Sequence, residues 1–296
     1  ISYTYDANSN LLTSARNGNV YSITEYNEAN LPSMTTLIDE SGKANTSSYR
    51  YNPDGNLAMT MGTDISSMYY YDGANRLVYE NTWGDNLDFT DRFTYDNFGN
   101  RTERRYDDYI SNVSSDTNYT YNNINQLILQ TDGQDTTIYS YDLNGNMTSV
   151  AVNGITDKVY TYDTFNRLKT ANVNGNLSSY TYNGDNLRQT KTVNGITTSH
   201  VYDGSNVVAD IGDTATYYVR GNGLALLKND SGTYLYTLTP RGDVRKVYKS
   251  RTDVNDYIYT AYGESAGDNT HTVNPFGYTG EYTDNETGLI YLRNRY

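Results

Sequence analysis

Ten tyrosines, each followed by aspartate or asparagine, stand 20 to 26 residues apart along this chain: Tyr5, Tyr26, Tyr51, Tyr71, Tyr95, Tyr121, Tyr141, Tyr162, Tyr182 and Tyr202. A period near that length signals a repeat architecture, in which one small unit buries its apolar face against the next. The stretch "VYTYDTFNRL" (159–168) shows the template, and "RFTYDNFGNRT" (92–102), "YSYDLNGNM" (139–147) and "SYRYNPDGNL" (48–57) are variants of it.

Each column of the alignment has a physical reading. The residue after the tyrosine (Asp6, Asn27, Asn52, Asp72, Asp96, Asn122, Asp142, Asp163, Asn183, Asp203) can bond its own backbone two residues on and open a turn. Four places after the tyrosine stand Ser9, Asn30, Gly55, Asn75, Gly99, Asn125, Gly145, Asn166, Asn186 and Asn206. Glycine and asparagine tolerate positive φ, so this column predicts a left-handed turn residue. Two places before the tyrosine stands a second aromatic residue, as at Tyr3, Tyr49, Tyr69, Phe93, Tyr119, Tyr139, Tyr160 and Tyr180, while Thr24 and His200 depart from the pattern. A spacing of two puts both rings on one face of a strand.

A second turn completes the unit. "VNGI" (152–155), "VNGN" (173–176) and "VNGI" (193–196) place Asn-Gly between extended segments, the strongest short hairpin signal. Each repeat therefore reads as two antiparallel strands, and no stretch shows a helical period with caps. Ten repeats predict roughly 20 strands, and open twisted sheets rarely exceed about 10 without curling. The fold class expected is all-β, a long curled sheet with tyrosines in ladders. With 34 Tyr against 5 Phe and 1 Trp, tyrosine must supply much of the buried area.

Composition narrows the function. A net charge of −13 argues against nucleic-acid binding. No apolar run approaches the roughly 18 residues of a membrane-spanning helix. Cysteine is absent, which removes disulfides and thiolate metal sites. "ISYTYD" begins in mid-repeat, so the sequence reads as a piece of a longer chain with no export signal visible.

The last segment, "NPFGYTGEYTDNETGLIYLRNRY" (274–296), closely resembles the Rhs-associated core, with Pro275, Gly280, Glu286, Thr287, Gly288, Leu289, Tyr291, Arg293, Arg295 and Tyr296 at its signature positions. Upstream, "YLYTLTPRGDVRKVY" (234–248) is similar to that family's Gly-x-Val-Arg segment, and the tyrosine phrases resemble YD repeats. The family includes Rhs polymorphic toxins, wall-associated proteins, the B and C components of insecticidal toxin complexes, and teneurins. The resemblance implies a hollow β-shell enclosing or presenting a C-terminal effector, on a secreted or cell-surface protein. It implies residues 1–210 as the repeat array and 211–296 as transition and core, cut short before the aspartates of the family's self-cleaving site. The partners it implies are the chain's own effector or neighbouring shell segments. No cofactor, metal or catalytic residue carries over. A surface-glycan-binding repeat module is the alternative, weakened because Trp83 alone cannot furnish the aromatic cages of choline-binding repeats. The shell of an autoprotease whose aspartates lie beyond Tyr296 is the second alternative.

Other features have ordinary readings. Turns such as "DLNGN" (142–146) resemble calcium loops but lack full ligand spacing. His200 occupies an aromatic column, and His271 lies in a polar loop with no nucleophile motif near it. Arg241-Gly242-Asp243 spells an integrin-type tripeptide at the Gly-x-Val-Arg position. Arg241, Arg245, Lys246, Lys249 and Arg251 form a basic run, expected as a solvated strand face. Asp284 and Glu286 are expected to form salt bridges with Arg293 and Arg295, not to perform acid-base chemistry.

Overall fold

A computed structural model describes residues 1–39, 41–84, 86–249, 252–266 and 273–293; Arg251, His271, Arg295 and Tyr296 lie outside the described residues. Among the described residues the all-β expectation holds. Twenty-five strands follow one another along the chain, those within each unit pairing antiparallel with their neighbours in sequence, and Tyr282–Asp284 pairs separately with Leu289–Tyr291. There are more strands than the ten repeats supply because pairing continues past Ile211, through Ala215–Gly221, Gly223–Asn229, Gly232–Leu238, Val244–Lys249 and Thr252–Asp256. The chain divides into two compact units. The first is Ile1–Thr120 with Thr131–Gly133 and Tyr259–Gly267; the second is Tyr121–Gln130, Gln134–Ile258 and Asp268–Tyr296.

The turn after each tyrosine is a three-residue hairpin loop built as the column chemistry requires. At Asp163 the carboxylate Oδ1 accepts from the amides of Phe165 and Arg167, at 2.9 and 3.0 Å, and Oδ2 accepts from Arg167 Nε. The Asp163 amide donates to the Arg167 carbonyl and the Asn166 amide to the Asp163 carbonyl. Asn166 takes φ 60°, the left-handed residue that closes such a loop with a bulge, and the strand register shifts at Tyr162. The same pattern recurs at Asp72, Asp96 and Asp142, with Asn75, Gly99 and Gly145 at positive φ. Asn206 departs from it. Asp203 faces Asn206 across a two-residue turn, and Gly204, two places before Asn206, takes the positive φ instead. At the other end of each repeat Asn153-Gly154, Asn174-Gly175 and Asn194-Gly195 all carry positive φ, as a type I′ turn demands.

The tyrosine itself staples one repeat to the one before. Its hydroxyl donates to the carbonyl six residues past the preceding column tyrosine. In the first unit Tyr26, Tyr51, Tyr71 and Tyr95 reach Leu11, Pro32, Leu57 and Leu77 at 2.5–3.1 Å. In the second, Tyr141, Tyr162, Tyr182 and Tyr202 reach Leu127, Met147, Leu168 and Arg188 at 2.7–2.8 Å. A half-buried ring thus keeps its polar tip satisfied, which is what lets tyrosine replace aliphatic residues along this face. The preceding aromatic lies on the same face: Tyr160 and Tyr180 pack with Val150, Leu168 and Ala171, while Tyr162 and Tyr182 flank them. Intervening threonines occupy the other face, where Thr161 bonds Thr170 and Thr181 bonds Thr190.

Candidate functional site

In the second unit the segment after residue 272 docks on the repeat strands over a buried polar network. Arg188 begins the strand Arg188–Val193 at a position where most repeats place Leu, and it is fully buried. Its Nη1 lies 2.5 Å from Asp284 Oδ2, its amide donates to the Tyr291 hydroxyl, and its guanidinium lies over the rings of Tyr180, Tyr282 and Tyr291. Lys191, three residues further along the strand and past its register shift, bridges Asp284 at 2.9 Å and Glu286 at 3.2 Å. The expected salt-bridging of Asp284 and Glu286 therefore exists, with different partners. The cations come from the repeats, since Arg293 turns to Glu281 and the Ser205 carbonyl.

Beside this lies Asp210. One carboxylate oxygen lies 2.6 Å from His200 Nδ1, and the other accepts from the hydroxyls of Tyr218 and Tyr282 at 2.7 and 2.8 Å. Burial opposes the charge of Asp210, but the hydrogen bond from His200, and with it those from the tyrosines, holds its pKa below the usual carboxylate value. Burial, together with the Asp210 charge, pushes both tyrosine hydroxyls well up. Burial also depresses the His200 pKa, opposed by its bond to Asp210. His200 thus fills its aromatic column structurally, with its ring edge-on to Tyr282 at 5.5 Å. Lys191, Tyr218, Asn274, Tyr282, Asn285 and Glu286 also border a cleft of about 240 Å³, below the ~300–1,000 Å³ usual for ligand pockets.

The first unit holds the segment before residue 267 in a parallel way. Glu80, fully buried, accepts from the Ala261 amide at 2.8 Å. Arg104 pairs with Asp91 and Glu264. Arg101, in the same column as Arg188, lies over the rings of Phe93, Tyr119 and Tyr262. The repeat turn also persists in these late segments with other openers: Thr239, Thr260 and Gly277 each donate an amide to the carbonyl four residues on, with Gly242, Gly263 and Gly280 at positive φ. Gly280 is required twice over, because a Cβ there would meet the Gly242 carbonyl at 3.0 Å.

The remaining candidates resolve plainly. Asp243 is buried, bonded by Arg241 Nε and by the Thr279 amide, so the integrin-type tripeptide is a turn that anchors the core segment. Within the described part of the basic run Arg241 is half exposed, whereas Arg245 and Lys246 pair with Asp256 of the adjacent strand and Lys249 lies over Tyr234. In the calcium-like turn both oxygens of Asp142 are taken by Asn144 and Asn146. Gly288 takes φ 72° in the turn between Tyr282–Asp284 and Leu289–Tyr291, and Leu289 packs on the Tyr160–Tyr180 cluster. Pro275 contributes its carbonyl, which accepts from the Thr283 amide at 2.7 Å. Sequence reasoning missed Arg188, Lys191, Asp210 and Glu80. A signal existed for the first: arginine interrupts a leucine column at positions 101 and 188, and each marks a docking point of the later chain.

No family model matches the sequence, and no curated protein matches it. Solved structures do. The crystal structure of TcdB2-TccC3-TEV aligns at a TM-score of 0.54 and 17% identity, covering 98% of this chain and 19% of that one. TcdB2-TccC3 aligns at 0.53 and 17%, covering 99% and 20%, and TcdB2-TccC3 without its hypervariable C-terminal region at 0.51 and 17%, covering 98% and 19%. This chain spans about a fifth of the length of those it matches, at 19% to 20%. It carries the β-sheet fold of these toxin-complex structures, which supports the Rhs/YD-repeat resemblance of its tyrosine phrases and its Glu286–Leu289 signature.

Proposed function

We propose that this chain is a non-catalytic wall segment of an Rhs/YD-repeat shell, secreted or displayed at a cell surface, that encloses or presents a C-terminal effector. The observation that carries the reading is the serial tyrosine staple, which spends the repeated residues on joining one repeat to the next. Polar groups that a catalytic reading would use are engaged within the fold: Asp284 and Glu286 by Arg188 and Lys191, Asp210 by His200 and two tyrosines. Residues 1–210 supply the wall, and 211–296 supply the transition and the core segment that docks on it. The partners are the effector and neighbouring wall segments.

Limited proteolysis of the natural gene product containing this stretch tests the reading. The effector should be cut far more slowly in the intact protein than when expressed alone. Equal cleavage rates would sink the enclosing role. Binding to a glycan array, abolished by substituting exposed tyrosines, would favour the surface-glycan module instead.

A further inference from the structure

We propose that His200 is an acid-sensitive latch, whose protonation loosens the hairpin Tyr282–Asp284/Leu289–Tyr291 from the repeat strands. The geometry starts with Asp210. It is the common acceptor for His200 from the strand Ile196–Asp203, Tyr218 from Ala215–Gly221 and Tyr282 from the docked hairpin. An ionised carboxylate only accepts, so His200 Nδ1 carries the proton and Nε2 is a bare lone pair. That Nε2 is buried without a hydrogen-bond partner. As a lone pair it forgoes one hydrogen bond and carries no charge. Protonation would turn it into a buried N–H with no acceptor, on a ring packed edge-on to Tyr282.

The charges facing the ring divide in sign. Asp210 favours the imidazolium. Arg188 and Lys191, from the strand Arg188–Val193, oppose it. Asp284 and Glu286 of the docked segment are bound to those cations and offset part of their field. Tyr202 on the same strand, and Tyr218 and Tyr282 across from it, present neutral rings or hydroxyls. Burial is the largest opposition, exceeding that of the two cations, and holds the docked histidine below its ordinary value of 6.5. The sign follows. Above that value both docked and released states carry neutral His200, and docking does not depend on it. Below it the released histidine takes a proton that the docked one resists, so docking weakens as pH falls towards the docked pKa. The bonds to His200 and the tyrosines hold the carboxylate of Asp210 below its ordinary value of 3.8, a separate and more acidic window.

This inference does not depend on what the wall encloses. Its test is hydrogen exchange of amides 282–291 in the full chain from pH 7.5 to 5.0, corrected for intrinsic exchange rates. Protection should be flat above about pH 6.5 and fall by up to about tenfold per pH unit below it. His200→Tyr restores the residue usual in that column and should make protection flat across the range. The only other histidine is His271, and His271→Asn should leave the wild-type fall intact. Should His200→Tyr not fold, the ring titration of His200 by NMR in the native chain decides. An imidazole titrating at or above 6.5, protection flat to pH 5.0 in the native chain, or the same fall in His200→Tyr would each overturn the latch.

Discussion

At the scale of single residues, each repeat concentrates its local energy in the turn opener and the staple. Asp163→Ala removes acceptors for two amides and for Arg167 Nε, and should cost about 1–2 kcal/mol in urea unfolding. Asp163→Asn keeps the Oδ1 acceptor and should cost much less, since Asn27, Asn52, Asn122 and Asn183 perform the same bonding in their own repeats. Equal losses for the two variants would show that the Oδ1 bonds carry little. Tyr162→Phe leaves the ring and strands the Met147 carbonyl, for a loss near 1 kcal/mol. The openers also set an acid limit. Asn10, Arg76, Asn100 and Asn146 side chains, with the turn amides, hold Asp6, Asp72, Asp96 and Asp142 below their ordinary value of 3.8. Their contribution is complete above that value and is lost as pH falls through the folded values. The urea midpoint should therefore drop below about pH 4, and Asp142→Asn should make that drop shallower.

At the scale of elements, much was legible because every column had a local cause. The Asx opener, the left-handed fourth residue and the Asn-Gly turn act within five residues, so Asp163, Asn166 and Asn153-Gly154 could be placed from chemistry alone. The docking of the core segment was not legible in that way. Arg188 and Asp284 stand 96 residues apart, and nothing local to either names the other. Arg293 sits closer to Asp284 in sequence, and proximity suggested the wrong pair. The pair has a measurable consequence. Asp284→Ala leaves Arg188 charged and sealed from water, and should cost about 3–5 kcal/mol. Arg188→Leu restores the residue usual in its column and leaves Asp284 with Lys191, so its loss should be the smaller. Thermal melts of the two variants, ranked the other way, would mean that the guanidinium and not the carboxylate is the better solvated without its partner.

At the scale of the whole chain, the physics is that of a repeat protein, where each unit touches mainly its neighbours and stability is a sum of local terms. The staples make the same point in hydrogen bonds, since each reaches only the preceding repeat. Leu168 is a suitable probe, because it is buried with Val150, Tyr160, Ala171 and Tyr180 in the second unit. Leu168→Ala should cost about 2–5 kcal/mol by lost burial and the cavity left behind. If coupling is local, hydrogen exchange should speed up across Met147–Val152, Ile155–Tyr162, Leu168–Val173 and Asn176–Tyr182. It should stay near wild type in Leu77–Gly84, Leu87–Tyr95 and Arg101–Asp108 of the first unit. An even loss of protection over all seven strands would mean that the chain opens as one cooperative body, and the additive picture of its repeats would have to be abandoned.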